Sequence, residues 1–239
     1  MRRVITRLIP SVAKESIRGW LRDIALRRAV SRLGDLSPAE VTQPQVLREF
    51  RAAFGNEGFS GDVRFLSEAA QRANRSDAPL LECGSGASTL LIGHLLARRG
   101  IRLVSLEQDA GWFQFIRRDL QRLGLSNVDV YHAPLSDQGD FDWYDVSSVS
   151  FPPRFETALC DGPAFCRGWR CGLLPMLVER GVQFDEILCD DADDAHAPAM
   201  FAFWEERFGI KAQLLDGADG AMAVVRPEAA WRAPARLAQ

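Results

Sequence analysis

The 239-residue chain is 47% hydrophobic and 26% charged with a net charge of −3, which excludes the apolar-poor, highly charged regime of disordered chains and leaves enough apolar side chains for a sizeable core. No stretch of about 18 residues is predominantly apolar and free of charge, so a spanning helix is not expected. The start MRRVITRLIPSVAKES meets Arg7 and Lys14 before its apolar run reaches signal-peptide length, so the expected location is the cytoplasm.

Charge is unevenly spread along the chain. Residues 1–33 hold nine basic residues against Glu15 and Asp23, a balance of +7, so the rest carries −10. An acidic body argues against nucleic acid as a partner, because neutralising phosphates needs clustered Lys and Arg on the domain itself. From Ile5 to Ile24 apolar residues recur at helical spacing (Ile5, Ile9, Val12, Ile17, Trp20, Leu21, Ile24), with Arg7, Lys14, Arg18 and Arg22 interleaved. This pattern predicts a basic amphipathic helix. Such a helix either packs on the domain or on a second copy of it, or lies on an anionic lipid surface and holds the protein peripherally at the inner membrane face.

After the breaker Gly34, Ser37-Pro38-Ala39-Glu40 reads as a capping box with proline at the first helical position. It sets the expected boundary between an N-terminal segment, residues 1–35, and a domain over residues 36–239. A glycine-rich run, Phe54 to Gly61, precedes a helical pattern from Val63 to Asn74 carrying Phe65, Leu66, Ala69 and Ala73 on one side. From residue 80 the strands LLEC, RLVSLE, VDVYH, FETALCD and EILCD alternate with helices from Ser88 to Arg99, Ala110 to Leu123, Cys171 to Arg180 and Pro198 to Phe208. Short apolar strands alternating with amphipathic helices predict an α/β fold, a doubly wound, mostly parallel sheet with helices on both faces. KAQLL and AMAVVR close the pattern with only Asp216 to Gly220 between them, too short for a parallel crossover, so they are expected to form an antiparallel hairpin.

Ligands of such sheets bind at the carboxyl ends of the strands. The residues there are Glu82-Cys83-Gly84-Ser85-Gly86, Glu107-Gln108, His132-Ala133, Asp161-Gly162-Pro163 and Asp190-Asp191. The glycines permit a tight turn and close approach of the backbone to a ligand, the following helix aims free N–H groups at it, and the Glu107 carboxylate can accept both hydroxyls of a ribose. These features point to a nucleotide-like ligand. The run GSGAST partly matches the G-x-G-x-x-G of nicotinamide enzymes. Against that reading stand Thr89 at the third glycine position, Glu82 ahead of the first glycine, and the terminal hairpin. The five cysteines, Cys83, Cys160, Cys166, Cys171 and Cys189, fit no zinc spacing and read as reduced thiols.

At these residues the sequence resembles the class I S-adenosylmethionine-dependent methyltransferases over roughly residues 50–227, and most closely a bacterial subgroup carrying five motifs in order. Here these are Asn56 to Ser60, Glu82 to Gly86, Trp143 to Asp145, Asp161 to Pro163, and Asp190 to Ala192. The resemblance implies a seven-stranded sheet ending in the hairpin, with S-adenosyl-L-methionine as cofactor. It places Gly84 and Gly86 beneath the methionine end and Glu107 at the ribose, with Gln108 and Trp112 beside it to line the adenine. Glu82 supports either the cofactor or only the loop. The implied reaction is methyl transfer to an oxygen or nitrogen of a small-molecule or glycan-like acceptor. Asp161, Asp191 and His196 are the candidate bases, and Tyr144 with the FGNEGF loop is the expected acceptor wall. In the catechol-type relatives, carboxylates at these strand ends hold Mg²⁺. Here the lysine that those enzymes place after the first Asp is missing and the acid spacing is one residue longer, so the metal-free version is favoured. Two alternatives stay open: a non-catalytic scaffold that binds the cofactor, and a nicotinamide-dependent oxidoreductase.

Overall fold

The computed structural model describes residues 11–55, 61–215 and 220–227, with side chains from Ile17 onward. The expected start of the N-terminal helix and the GNEGFS motif, Asn56 to Ser60, lie outside the described residues.

The first helix, α1 (Ser11–Asp35), carries one correction to the sequence pattern. Ile17, Trp20 and Leu21 are exposed at 46%, 63% and 53%, whereas the buried face is made by Leu26, Val30 and Leu33. Arg22, expected on the solvated side, turns inward. Its Nη2 pairs with the buried Asp119 at 2.6 Å, its Nε donates to the Phe54 carbonyl at 2.8 Å, and its guanidinium lies 4.4 Å from the Phe115 ring centroid. A guanidinium with a carboxylate, a carbonyl and an aromatic face to meet is more stable inside than its charge alone suggests.

The Ser37 capping box forms as read: Ser37 Oγ accepts from the Glu40 N–H at 3.3 Å, and the Glu40 carboxylate accepts from the Ser37 N–H at 2.8 Å. It opens α2 (Pro38–Val41), a single turn that ends because Pro44 disfavours helical backbone at Gln43 and itself starts α3 (Pro44–Phe54). Helix α4 (Val63–Arg75) begins at Asp62, whose Oδ1 accepts from the Phe65 N–H at 2.6 Å. Leu26, Val30 and Leu33 share one core with Val41, Leu47, Phe50 and Leu66.

The remaining elements follow in the order β1 (Leu80–Cys83), α5 (Ala87–Ala97), β2 (Leu103–Glu107), α6 (Ala110–Leu123), β3 (Val128–His132), β4 (Leu135–Asp137), β5 (Asp142–Tyr144), β6 (Arg154–Cys160), α7 (Leu173–Glu179), β7 (Gln183–Cys189), α8 (Ala197–Phe208), β8 (Ala212–Leu215) and β9 (Met222–Val225). Seven strands form one sheet in the order β3-β2-β1-β6-β7-β9-β8, and β4 with β5 makes a separate two-stranded ribbon. Pairing is parallel from β3 through β7. Strand β9 then runs antiparallel to both β7 and β8, which is the expected hairpin with its second strand placed inside the sheet. All residues of β1 and β2 are buried, as strands covered on both faces must be. One core packs on each face of the sheet: Leu80 and Leu103 face one, Leu81 and Val104 the other. The chain winds outward from β1 in one direction and from β6 in the other, so the crevice between their carboxyl ends is the topological switch point.

Candidate functional site

A cavity of about 800 Å³ opens at that switch point, lined by residues closing β1, β2, β6 and β7. Its floor is a contact between two turns. Gly84 has φ +92, and a Cβ there would lie 3.1 Å from the Gly162 nitrogen. A Cβ on Gly162 would lie 2.5 Å from the Tyr144 hydroxyl and 2.9 Å from the Gly84 Cα. Both glycines are therefore needed for backbone packing before any ligand is considered. Gly86 differs. It is buried at the N-terminus of α5, yet no atom lies within 4 Å of where its Cβ would be. That leaves a backbone cradle facing open cavity at the positive end of a helix.

The loop carrying this cradle is tied down by acids. Thr89 Oγ1 accepts from the Gly86 N–H at 2.8 Å and donates to Glu82 Oε2 at 2.6 Å, which also accepts from Ser105 Oγ at 2.6 Å. Glu82 is 1% exposed and does not line the cavity; its position is that of a loop anchor, and burial pushes its carboxyl up to about 7 against those hydrogen bonds. Glu107 does line the cavity. Its Oε2 accepts from the Ser85 N–H and hydroxyl at 3.2 and 2.6 Å, and its Oε1 from the Asp109 N–H at 2.8 Å. A carboxylate held by three donors keeps one orientation. Trp112 lies beside it, its Nε1 donating to the Ser85 carbonyl at 2.8 Å while its ring stacks on Phe115 at 4.7 Å. Gln108 reaches across to the Ala164 carbonyl at 3.0 Å, joining the end of β2 to the loop after β6. The structure thus brings Gly84, Gly86, Glu107, Gln108 and Trp112 to one cavity. A nucleoside with a charged tail fits this set: a carboxylate for ribose hydroxyls, an indole and a carboxamide for the base, and an open helix N-terminus for the tail.

The other end of the cavity is acidic. Asp161, Asp190 and Asp191 each place a carboxylate oxygen within 4.8 Å of the others. The basic side chain set among them is Arg170, which the sequence reading missed. It is 5% exposed; its Nη1 donates to the Asp190 carbonyl at 2.8 Å, and its Nη2 to Asp191 Oδ2 at 2.7 Å, the Asp161 carbonyl at 3.0 Å and Asp161 Oδ1 at 3.3 Å. Trp169 supports it through a ring centroid 4.8 Å away. The signal for it was present: three acids converging on one crevice call for a cation, and Arg167 and Arg170 are the first basic residues after the DGP turn. Arg167 instead pairs with Asp137 and Asp142 at the surface.

Even so, burial raises Asp161 to about 7, with Arg170 pulling it down and Asp191 and Asp62 adding to the rise. Asp190 rises to about 8, through burial first and then Asp161, Asp191 and Asp62. A divalent ion fits this donor set poorly. Two of the three carboxylates already bond a guanidinium that cannot give up its charge. His196, the third candidate base, is placed elsewhere: it is exposed, does not line the cavity, and its ring nitrogen Nδ1 lies 2.9 Å from Asp194 at the start of α8. Tyr144 is buried at 2% exposure and does line the cavity.

No protein-family model and no characterised sequence matches the chain. Solved structures do. The SAH-bound methyltransferase PaMTH1 of Podospora anserina aligns over 94% of this chain and 98% of its own, at 15% identity and a TM-score of 0.59. The C-terminal domain of precorrin-6Y C5,15-methyltransferase from Rhodobacter capsulatus aligns over 77% of this chain and 96% of its own, at 14% identity and a TM-score of 0.50. The METTL16 MTase domain aligns over 77% and 80%, at 14% identity and a TM-score of 0.50. At such identities the likeness is one of fold, shared with these three methyltransferases.

Proposed function

We propose that the chain transfers the methyl group of S-adenosyl-L-methionine to an oxygen or nitrogen of a small-molecule or glycan-like acceptor. One observation carries the reading: the open cradle at Gly86 faces the same cavity as Glu107, and a single carboxylate both holds the cradle loop through Ser85 and lines the space a ribose would occupy. The fold shared with an SAH-bound methyltransferase supports it, as do the motifs of the bacterial subgroup. Thr89 counts against a nicotinamide site, because its hydroxyl is committed to the Gly86 N–H and Glu82 and occupies the third-glycine position where a dinucleotide fingerprint needs close helix packing.

The bound cofactor supplies an electrophilic methyl on a sulfonium centre. The chain's own residues hold the acceptor in line with it, a contribution that can dominate such displacements. Asp161 and Asp191 line the acceptor end and can take a proton there. The test is a thermal-shift series with S-adenosylmethionine, S-adenosylhomocysteine, NAD and NADP. S-adenosylhomocysteine at 100 times its Kd is expected to add about 2.7 kcal/mol of stability, NAD nothing, and Glu107→Ala to lose most of the gain. A shift retained in Glu107→Ala overturns the ribose assignment. Release of S-adenosylhomocysteine on turnover separates the enzyme from a scaffold that only binds.

A further inference from the structure

At the acid end, one carboxylate is left without a partner among the described residues. Asp161 and Asp191 both bond Arg170. The Asp190 side chain is 5% exposed, lines the cavity, and has no hydrogen-bond or ion-pair partner among the described residues. Buried carboxylates are ordinarily paired, and an unpaired one facing a cavity marks a place for a cationic partner. Its Oδ2 and that of Asp161 lie 3.3 and 3.4 Å from where a Cβ on Gly61 would be. Gly61 keeps this spot clear, and Phe65 forbids a larger residue, its ring carbon standing 2.7 Å from the same point.

We propose that this end of the cavity binds a protonated amine, and that Asp190 anchors its ammonium and receives its proton. The assignment rests on the methyltransferase reading and narrows the acceptor atom to nitrogen. It favours an ammonium over a divalent metal because Arg170 already bonds the Asp161 and Asp191 carboxylates, leaving Asp190 as the one carboxylate of the three without a direct partner among the described residues. An ammonium carries three donors, enough to reach Asp190 and Asp161 together. The step balances: Asp190 releases its own proton to water as the ammonium binds beside it, the ammonium then gives a proton to the Asp190 carboxylate, the free amine's lone pair forms the N–C bond as the sulfur–methyl bond breaks, the bonding pair stays on sulfur, and Asp190 holds a proton again, as it did before the amine bound.

The experiment uses the full chain loaded with S-adenosylhomocysteine and a panel of small primary and secondary amines, each matched with its isosteric alcohol, 2-phenylethylamine and 2-phenylethanol among them. At least one amine is expected to bind ten-fold or more tighter than its alcohol. Asp190→Asn is expected to erase that preference while leaving S-adenosylhomocysteine affinity within two-fold, which also reports that the variant is folded. With S-adenosylmethionine, the preferred amine is expected to yield its N-methyl product by mass. No preference for any amine overturns the proposal while the cofactor reading stands. A loss of S-adenosylhomocysteine affinity in Asp190→Asn as large as the loss for the amine also overturns it, since Asp190 then holds the cofactor's own ammonium. If the wild-type chain fails to bind S-adenosylhomocysteine at all, both readings fall.

Discussion

Arg170 sets the electrostatics of the cavity because its guanidinium serves two carboxylates and three main-chain carbonyls at once. Replacing it with Met leaves those carbonyls and Asp161 without their donor, whereas Asp191, its side chain 57% exposed, can turn to water; a loss of about 3 kcal/mol, the low end for breaking a buried pair, is expected, and urea unfolding of Arg170→Met measures it. The acids beside it make stability depend on pH in a definite sense. Asp161 and Asp190 have folded values raised to about 7 and 8, against an ordinary aspartate near 3.9. Between about pH 4 and 8 the native state therefore holds protons that the unfolded chain has released. Stability is expected to fall as pH rises through that window and to level above it. Asp190→Asn removes one of the two groups, so its loss of stability between pH 5 and pH 8 should be smaller than that of the wild type. Equal losses in the two proteins would show that Asp190 ionises normally.

Helix α1 has two parts with different expected behaviour. Leu33 is 1% exposed and Leu26 2% within the core, so Leu33→Ala should cost about 2–5 kcal/mol, as other buried leucine truncations do. Trp20→Ala, at 63% exposure, should stay within about 0.5 kcal/mol. What Trp20, Leu21 and Ile17 contact is a separate question, and the basic charge of residues 1–33 offers an anionic surface as one answer and a second copy of the chain as the other. If lipid is the partner, the protein co-sediments with phosphatidylserine vesicles, salt weakens the binding by screening, and Trp20→Ala with Leu21→Ala removes it. If self-association is the answer, the same double variant turns a dimer into a monomer and vesicle binding is absent throughout. No helix among the described residues is long and apolar enough to cross a membrane.

For the whole molecule, the sheet brings four strand ends to one crevice, and the character of that crevice follows from what each end carries. Its charge bears directly on metal dependence. With Arg170 bonded to Asp161 and Asp191, transfer is expected to proceed unchanged in EDTA. Activity lost to chelator and restored by Mg²⁺ would show that the carboxylates prefer a divalent ion to the guanidinium.

The alternation of apolar strands and amphipathic helices, the short link before β9 and the strand-end residues were all legible in the sequence, because each is a local pattern with a period or a length that only one element type satisfies. The cavity-lining positions of Gly84, Gly86, Glu107 and Gln108 follow from the same logic, since a residue that closes a parallel strand has little choice of destination, whereas that of Trp112, in the first turn of α6, was implied by the family resemblance. Tertiary structure alone decided the rest. Arg22 looked like a solvated charge until Asp119 and two phenylalanine rings, distant in the chain, made a site for it. Arg170 sits in an irregular segment without periodicity, and its partners come from the ends of β6 and β7. His196 follows the acidic run by only a few residues, but the turn into α8 carries it to the surface. Local pattern states which element a residue joins and roughly which end or face. Whether its charge is compensated depends on groups that only the folded chain brings within about 4 Å, the range over which an ion pair or hydrogen bond matters.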